Sequence, residues 1–453
     1  MKKLYVIIAI GFWLSAVSAQ WLETVIYADG RWSGRMVYNS LHNKVYCANY
    51  DSTVIIVDGA TNSVIREVKV GTRPLWMVYN WLNDRLYCAL GGNTSDTVVV
   101  LDGQTDEVVG RVIVAGRSVN TLGFNPTNNK LYVGSNVTPN RVSIVDCDSD
   151  TVTAVLNIPG GNLTHEPMHV ESTNKVYIPV HTSDYVMVLD GATDSIIKDD
   201  LRIGSGPLCA GVDYTRNRAF FAPWSSDSLV VVDGDSDRVI RRIRVGYRPL
   251  GWDYNRVNDR VYCTSLGDSN FVVLDAATYE RLEQFVYSDR KNGVFWNPIN
   301  NKVYVSSAYT NVLLVYDGAS SRYIMSINLP AVMAGWTWNW TQNRLYVECS
   351  PGGAIAVVRD SGGYAVAERP PPGASRIAPG ATVVRGVLRL EPASSHRPRA
   401  TSWLLDINGR KVLDLQPGAN DVSRLAPGVY FVCSGLSAVS RQPSAVQKVV
   451  VTR

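Results

Sequence analysis

Between residues 43 and 346 one four-residue pattern returns eight times: an Asn or Asp, a base, a branched or leucine residue, and a tyrosine. It reads Asn43-Lys44-Val45-Tyr46, Asp84-Arg85-Leu86-Tyr87, Asn129-Lys130-Leu131-Tyr132, Asn174-Lys175-Val176-Tyr177, Asp259-Arg260-Val261-Tyr262, Asn301-Lys302-Val303-Tyr304 and Asn343-Arg344-Leu345-Tyr346, with a degenerate copy at Asn217-Arg218-Ala219-Phe220. Consecutive aromatic positions lie 41 to 45 residues apart. A chain so periodic builds its core from contacts between successive copies, because one unit of that size cannot bury its own apolar faces.

Each unit divides into four short strands. The first ends in an aromatic and usually Asn, as in Tyr79-Asn80, Phe124-Asn125, Tyr254-Asn255, Trp296-Asn297 and Trp338-Asn339, and the tyrosine pattern is the second. The third is an unbroken apolar run such as Val98 to Leu101 or Phe271 to Leu274, which suits a strand covered on both faces. It closes on Asp-Gly, at Asp58-Gly59, Asp102-Gly103, Asp190-Gly191, Asp233-Gly234 and Asp317-Gly318. Aspartate bonds the backbone of the turn it opens, and glycine is expected to supply a positive φ. The fourth strand, such as Val64 to Val70 or Val239 to Val245, ends at a glycine. The expected class is therefore all-β: a β-propeller of eight four-stranded blades over residues 20–367, with seven as the alternative count, followed by a small β-sandwich domain. The last unit has only a weak fourth strand at Tyr364 to Ala367, so Leu22 to Tyr27 is the expected partner that closes the ring and removes its free edge.

The unit running from Leu86-Tyr87-Cys88-Ala89 through Val98-Val99-Val100-Leu101-Asp102-Gly103-Gln104-Thr105 to Val108-Val109 resembles the YVTN-type β-propeller repeat proteins. This chain departs from them by placing Cys or Val after the tyrosine in place of Val-Thr-Asn. The resemblance covers residues 22 to 367. It implies an extracellular binding or surface-layer role, with lactonases, lyases and haem-containing reductases among distant relatives.

The two ends of the chain read differently. Residues 1–19 have the form of a secretory signal peptide: Lys2 and Lys3, an apolar run from Leu4 to Val17, and a small-residue site at Val17-Ser18-Ala19 that predicts a mature start at Gln20. No later stretch has the roughly 20 apolar residues of a membrane-spanning helix. Residues 20–367 carry 30 basic against 35 acidic side chains, a balance that argues against a nucleic-acid partner. Residues 368–381 are rich in proline and read as a stiff linker. Residues 382–453 lose the repeat, and Trp403 to Ile407, Lys411 to Leu415, Gly428 to Cys433 and Gln447 to Val451 read as strands, with a turn at Gly418-Ala419-Asn420. This segment resembles the C-terminal sorting domain of type IX secretion substrates, on Asp406-Ile407-Asn408-Gly409-Arg410, Leu425-Ala426-Pro427-Gly428-Val429-Tyr430 and Lys448-Val449-Val450-Val451. The resemblance implies a Gram-negative host, the type IX machinery as a partner, and secretion to the outer cell surface, with Asp406, Gly409, Arg410, Pro427, Gly428, Tyr430 and Lys448 as the motif residues.

Recognisable catalytic machinery is lacking, and no cofactor or metal is expected. Cys47, Cys88 and Cys263 each follow the repeat tyrosine where other units place Val or Ile, which marks them as small core residues. His165-Glu166-Pro167-Met168-His169 satisfies H-E-x-x-H, but aligning the units puts His169 on a first strand, where positions four apart are about 13 Å from each other and cannot share a zinc ion. Asp233-Gly234-Asp235-Ser236-Asp237 crowds three carboxylates yet occupies an ordinary third-to-fourth-strand turn. The better candidates are the connections from one unit's fourth strand to the next unit's first, which in a propeller surround one mouth of the channel. They hold Arg73, Arg117, Arg248, Arg290 and Lys291, with Trp76, Tyr247, Trp252 and Trp336 nearby, and such residues anchor anionic, sugar or peptide ligands. The leading expectation is a binding or adhesion module for an extracellular glycan, peptide or protein. A propeller enzyme of lyase or lactonase type and a structural envelope component are the alternatives.

Overall fold

The computed structural model describes residues 19–28, 32–92, 95–137, 140–158, 165–350 and 352–361, and in the C-terminal region 382–385, 387–390, 402–405, 411–416, 418–426, 428–436 and 443–452. The repeats fold into eight four-stranded antiparallel sheets. Blade 1 consists of Trp32–Asn39, Lys44–Asn49, Thr53–Asp58 and Val64–Lys69. Blades 2 to 7 follow without interruption, from Pro74–Asn80 to Tyr323–Asn328. Blade 8 takes three strands from the end of the repeat region, Val332–Asn339, Arg344–Ser350 and Ala354–Ser361. Its fourth strand is Ala19–Tyr27, paired antiparallel so that Leu22 lies opposite Val358 and Tyr27 opposite Ala354. The ring thus closes as the sequence predicts, with eight blades; the weak strand at Tyr364 to Ala367, the body of the signal peptide and the proline-rich linker lie outside the described residues. First strands of neighbouring blades meet around the axis, while the fourth strands form the rim with mostly exposed side chains. No helix among the described residues is long and apolar enough to cross a membrane.

The recurring tetrapeptide is explained by what it grips. In blade 1 the Lys44 ammonium lies 2.7 Å from Asp106 and the Tyr46 hydroxyl donates to the same carboxylate at 2.9 Å, although Asp106 belongs to the third-to-fourth-strand turn of blade 2. Lys130 and Tyr132 hold Asp194 in the same way, and Lys175 and Tyr177 hold Asp237. The clasp continues through the closure: Arg344 donates to the carbonyls of Gly59 and Ala60, and Tyr346 to Asn62, joining blade 8 to blade 1. Each tyrosine is wholly buried, so the pattern combines aromatic burial with charge-assisted bonding at every blade boundary.

The turns themselves correct one expectation. In Asp58-Gly59-Ala60-Thr61-Asn62 the positive φ falls on Asn62 (61°), and equivalent positive angles occur at Asp106, Asp194, Asp237 and Ser321. Gly59 is required for closeness instead. A Cβ there would lie 2.4 Å from the Asn43 side chain and 2.6 Å from its carbonyl oxygen, and Gly103, Gly191, Gly234 and Gly318 are equally crowded. Asp58 behaves as expected, accepting from the backbone N–H groups of Ala60 and Thr61 and from the Thr61 hydroxyl.

Blade 8 lacks such a turn, because its third and fourth strands come from opposite ends of the chain. Asp360 fills the place. It is 1% exposed and receives the Tyr304 hydroxyl at 2.8 Å, the Asn300 amide at 2.8 Å, the Gln20 amide at 3.0 Å and the Lys302 ammonium at 3.4 Å. Cys47, Cys88, Cys147, Cys263 and Cys349 are buried free thiols, and burial pushes Cys88 and Cys263 up to about 12, as suits inert core residues.

In the C-terminal region, Thr382–Arg385, Pro443–Thr452, Gly428–Leu436, Ser402–Leu405 and Lys411–Leu415 form one sheet in that order, and Val387–Leu390 pairs with Gly418–Asp421 in a second. Leu388, Leu404, Leu415, Val422, Tyr430 and Val432 are buried together and join the two. The expected turn at Gly418-Ala419-Asn420 is a strand. Asn420 on that strand accepts from the Gln416 N–H at 2.7 Å and donates to the Gln416 carbonyl at 2.8 Å.

Candidate functional site

The connections that lead into each blade gather at one mouth of the channel with the turns between second and third strands. Arg73 and Arg248 occupy the same repeat position and share a positive φ of 56°, each two residues after a glycine that is itself left-handed, Gly71 or Gly246. That backbone costs a non-glycine residue on the order of 1 kcal/mol, and it aims each guanidinium at an aromatic ring of the preceding blade. Arg73 lies 5.0 Å over Tyr50, and Arg248 lies 5.2 Å over Trp224 and 5.3 Å over Tyr247. The Nε of Arg248 has no partner among the described residues. On an eight-membered ring, blades 2 and 6 stand opposite, so these two cations frame the mouth.

The other candidates separate into outward and inward groups. Arg290 reaches the exposed Tyr309, donating to its hydroxyl at 3.1 Å, and Arg117 is exposed where it opens the first strand of blade 3. Lys291 is turned inward: it is 2% exposed, bonds both oxygens of Asp289 at 2.8 and 3.0 Å, and sits 4.4 Å over Tyr287. Burial opposes ionisation of Asp289, yet Lys291, Ser307 and Thr310 hold its carboxyl down to about 2. Trp252 lies against Gly211 of blade 5, where a Cβ would come 2.0 Å from its ring, and tilts onto Phe220 at 5.3 Å. Trp336 packs on Phe295 at 4.6 Å between blades 7 and 8. Trp76 alone of the three stacks on a channel cation, with the Arg35 guanidinium 3.3 Å over its ring.

Arg35 and Glu166 are what the sequence reading missed. Arg35 is on the first strand of blade 1 and Glu166 lies two residues before that of blade 4, yet their charged groups meet at 3.2 Å, bridging the channel. A signal was present: at the repeat position where blades 6, 7 and 8 carry Gly251, Gly293 and Gly335, blades 1, 2 and 4 carry Arg35, Trp76 and Glu166. The glycines let inner strands nearly touch, since a Cβ on Gly251 would lie 2.8 Å from the Gly293 Cα. The longer side chains occupy the space left on the other side. His165 neighbours this bridge, and burial, then Arg35 and His181, push it down to about 3. Burial lowers His181 as well, and its Nδ1 has no partner among the described residues. The mouth therefore presents guanidinium groups, rings and neutral imidazoles, a set suited to holding a ligand.

The two metal-like motifs resolve into structural bonds. His169 lies on Met168–Val170, a first strand as expected, with its Nε2 3.0 Å from Asn174, while Glu166 serves Arg35. In the blade 5 turn Asp233 accepts from Ser236, Asp235 from Asn217 and Asp237 from Lys175 and Tyr177. Of the sorting-motif residues, Gly428 and Tyr430 lie on Gly428–Leu436 and Lys448 on the final strand. The Tyr430 hydroxyl donates to the Ala426 carbonyl at 2.8 Å, pinning the turn before its strand. Asp406, Gly409, Arg410 and Pro427 lie outside the described residues.

No family model matches the chain, and no curated protein matches it. Solved structures do. BamB from Moraxella catarrhalis superposes with a TM-score of 0.57 at 15% identity, covering 75% of this chain and 100% of its own. The C-terminal WD40 domain of Sif2 gives 0.63 at 12% identity, with 76% and 100% covered. A chain of a mitotic checkpoint complex gives 0.52 at 13% identity, with 79% and 97% covered. At such identities the likeness is one of fold, and the fold that the blades and these neighbours show together is the β-propeller.

Proposed function

We propose that the protein is an exported interaction module that displays its propeller at the outer surface of a Gram-negative cell and holds a glycan, peptide or protein ligand at the channel mouth. The observation that carries this reading is the repeated device at Arg73 and Arg248: a left-handed backbone, unfavourable in itself, that stands a guanidinium against an aromatic ring on opposite sides of the opening. Arginine and aromatic side chains are the residues that anchor interfaces most strongly. The neighbours include a chain from a named multiprotein complex, in keeping with propellers as platforms for partners. Export by the type IX route is supported by the segments around Asp406, Pro427 and Lys448 at the end of the chain.

The test of the mouth is thermal unfolding against panels of glycans and peptides, with Arg73→Ala/Arg248→Ala beside the wild type. A ligand at 100 times its Kd raises stability by about 2.7 kcal/mol. A shift that the double variant loses supports the reading, and a shift that it keeps overturns it. Deleting residues 382–453 should abolish secretion in the host; unchanged secretion removes the export assignment.

A further inference from the structure

We propose that the rim between blades 5 and 6 is a second binding site, for ligands carrying clustered phosphate or sulfate groups. This goes beyond the channel-mouth reading and does not depend on it. The outer strand of blade 5, Arg238–Arg244, has the sequence Arg-Val-Ile-Arg-Arg-Ile-Arg, and an open groove of about 630 Å3 runs between it and blade 6. Ile240, Arg241, Arg242, Ile243, Arg244, Tyr279 and Arg281 line it.

The side-chain directions concentrate positive charge there. Ile243 packs inward with Cys263, Leu274 and Tyr279 of blade 6, so Arg241, two residues before it on the strand, faces the same way. Arg281 comes from the blade 6 side and donates to the Arg244 carbonyl at 2.7 Å, which fixes its guanidinium across the groove. Arg218 stacks 5.3 Å over Tyr279 and donates to its hydroxyl, adding a further cation at the base. Arg242 also lines the groove, but its guanidinium is committed to the Ile203 carbonyl of blade 4 at 2.6 Å. Against these cations stands Asp227, 2.9 Å from Arg244, whose side chain is still 81% exposed. Glu283, two residues before Phe285, shares its face, which packs toward blade 7 and away from the groove. Arg241 has no partner among the described residues.

Edge protection does not account for this charge. Every outer strand has a free edge, and Tyr323–Asn328 of blade 7, Tyr-Ile-Met-Ser-Ile-Asn, carries no charged residue at all. Planar guanidinium groups converging from two blades match the oxygens of phosphate or sulfate, which they bind bidentately.

The test uses the full chain with heparin as a sulfated polymer and pyrophosphate as a free oxyanion, at an ionic strength where exposed charges are screened beyond about 8 Å. Wild type should bind heparin, and Arg241→Glu should weaken it about tenfold or more, since a charge-assisted contact is replaced by repulsion. Arg238→Glu, an equal charge change on the same strand outside the groove, should alter affinity by less than about twofold. Arg73→Ala/Arg248→Ala should bind as wild type. Circular dichroism melts confirm that each variant folds. Competition by pyrophosphate supports a site for free oxyanions, and its failure beside firm heparin binding supports one for polymer-borne groups. No binding by wild type, equal losses in Arg241→Glu and Arg238→Glu, or loss in the channel-mouth variant would overturn the proposal.

Discussion

His169 takes the place of a tyrosine. In blades 1, 2, 6 and 7 the aromatic that ends the first strand donates to the Asn or Asp five residues on, as Tyr79 does to Asp84 at 2.7 Å and Trp296 to Asn301 at 3.0 Å. His169 makes the same bond with a ring that burial pushes down to about 4. A histidine whose folded value lies below its unfolded one loses stability as pH falls, here through the window from about 6.5 to 4. His169→Tyr should therefore abolish that share of the acid sensitivity while keeping the bond, as melting temperatures between pH 7 and 4 will show. Asp253 has the opposite sign. Burial raises its carboxyl to about 7, against the N–H groups of Trp296 and Tyr254 that it accepts. Its contribution is complete below about pH 4 and is lost as pH rises through 7, so Asp253→Asn should flatten the stability profile over that interval.

At the scale of the element, the boundary between blades is held by one clasp whose setting varies. Tyr132→Phe removes one donor from Asp194, which keeps Lys130 at 2.7 Å, and should cost about 1 kcal/mol. Tyr304→Phe removes a donor from the fully buried Asp360 and should cost about 2–3 kcal/mol, the range for buried charged groups. Denaturant titrations of the two variants compare them directly, and equal losses would mean that burial of the acceptor is immaterial. The repeat was legible in the sequence because each clasp reuses the same four residue types, and blade count, strand order and the closing strand all follow from that spacing. The reason for Gly59 was not legible, because it lies in the approach of Asn43, sixteen residues upstream across a turn. Arg35 and Glu166 stand out in the sequence only as long side chains at a repeat position where other blades have glycine, and their pairing, between residues 131 apart, was not legible.

For the whole molecule, closure rests on the strand Ala19–Tyr27, and Glu23 ties it in by accepting from Arg344 at 2.6 Å through both oxygens. Removing residues 20–27 would bare the edge of Ala354–Ser361 and leave Arg344 and Asp360 without Glu23 and Gln20. Such a chain should melt at lower temperature and self-associate, as light scattering will report; a monomer of unchanged stability would show that closure is dispensable.

Because Ala19 pairs with Ser361, the chain enters and leaves the ring side by side. Tension applied between the two ends consequently loads a single antiparallel ribbon from its open end. Its hydrogen bonds break in succession, as in a zipper, and the other seven blades lie outside the line of force. A propeller held by its C-terminal side and pulled from its N-terminal side would yield first at this seam, and would lose its circular continuity before the core of any other blade is disturbed.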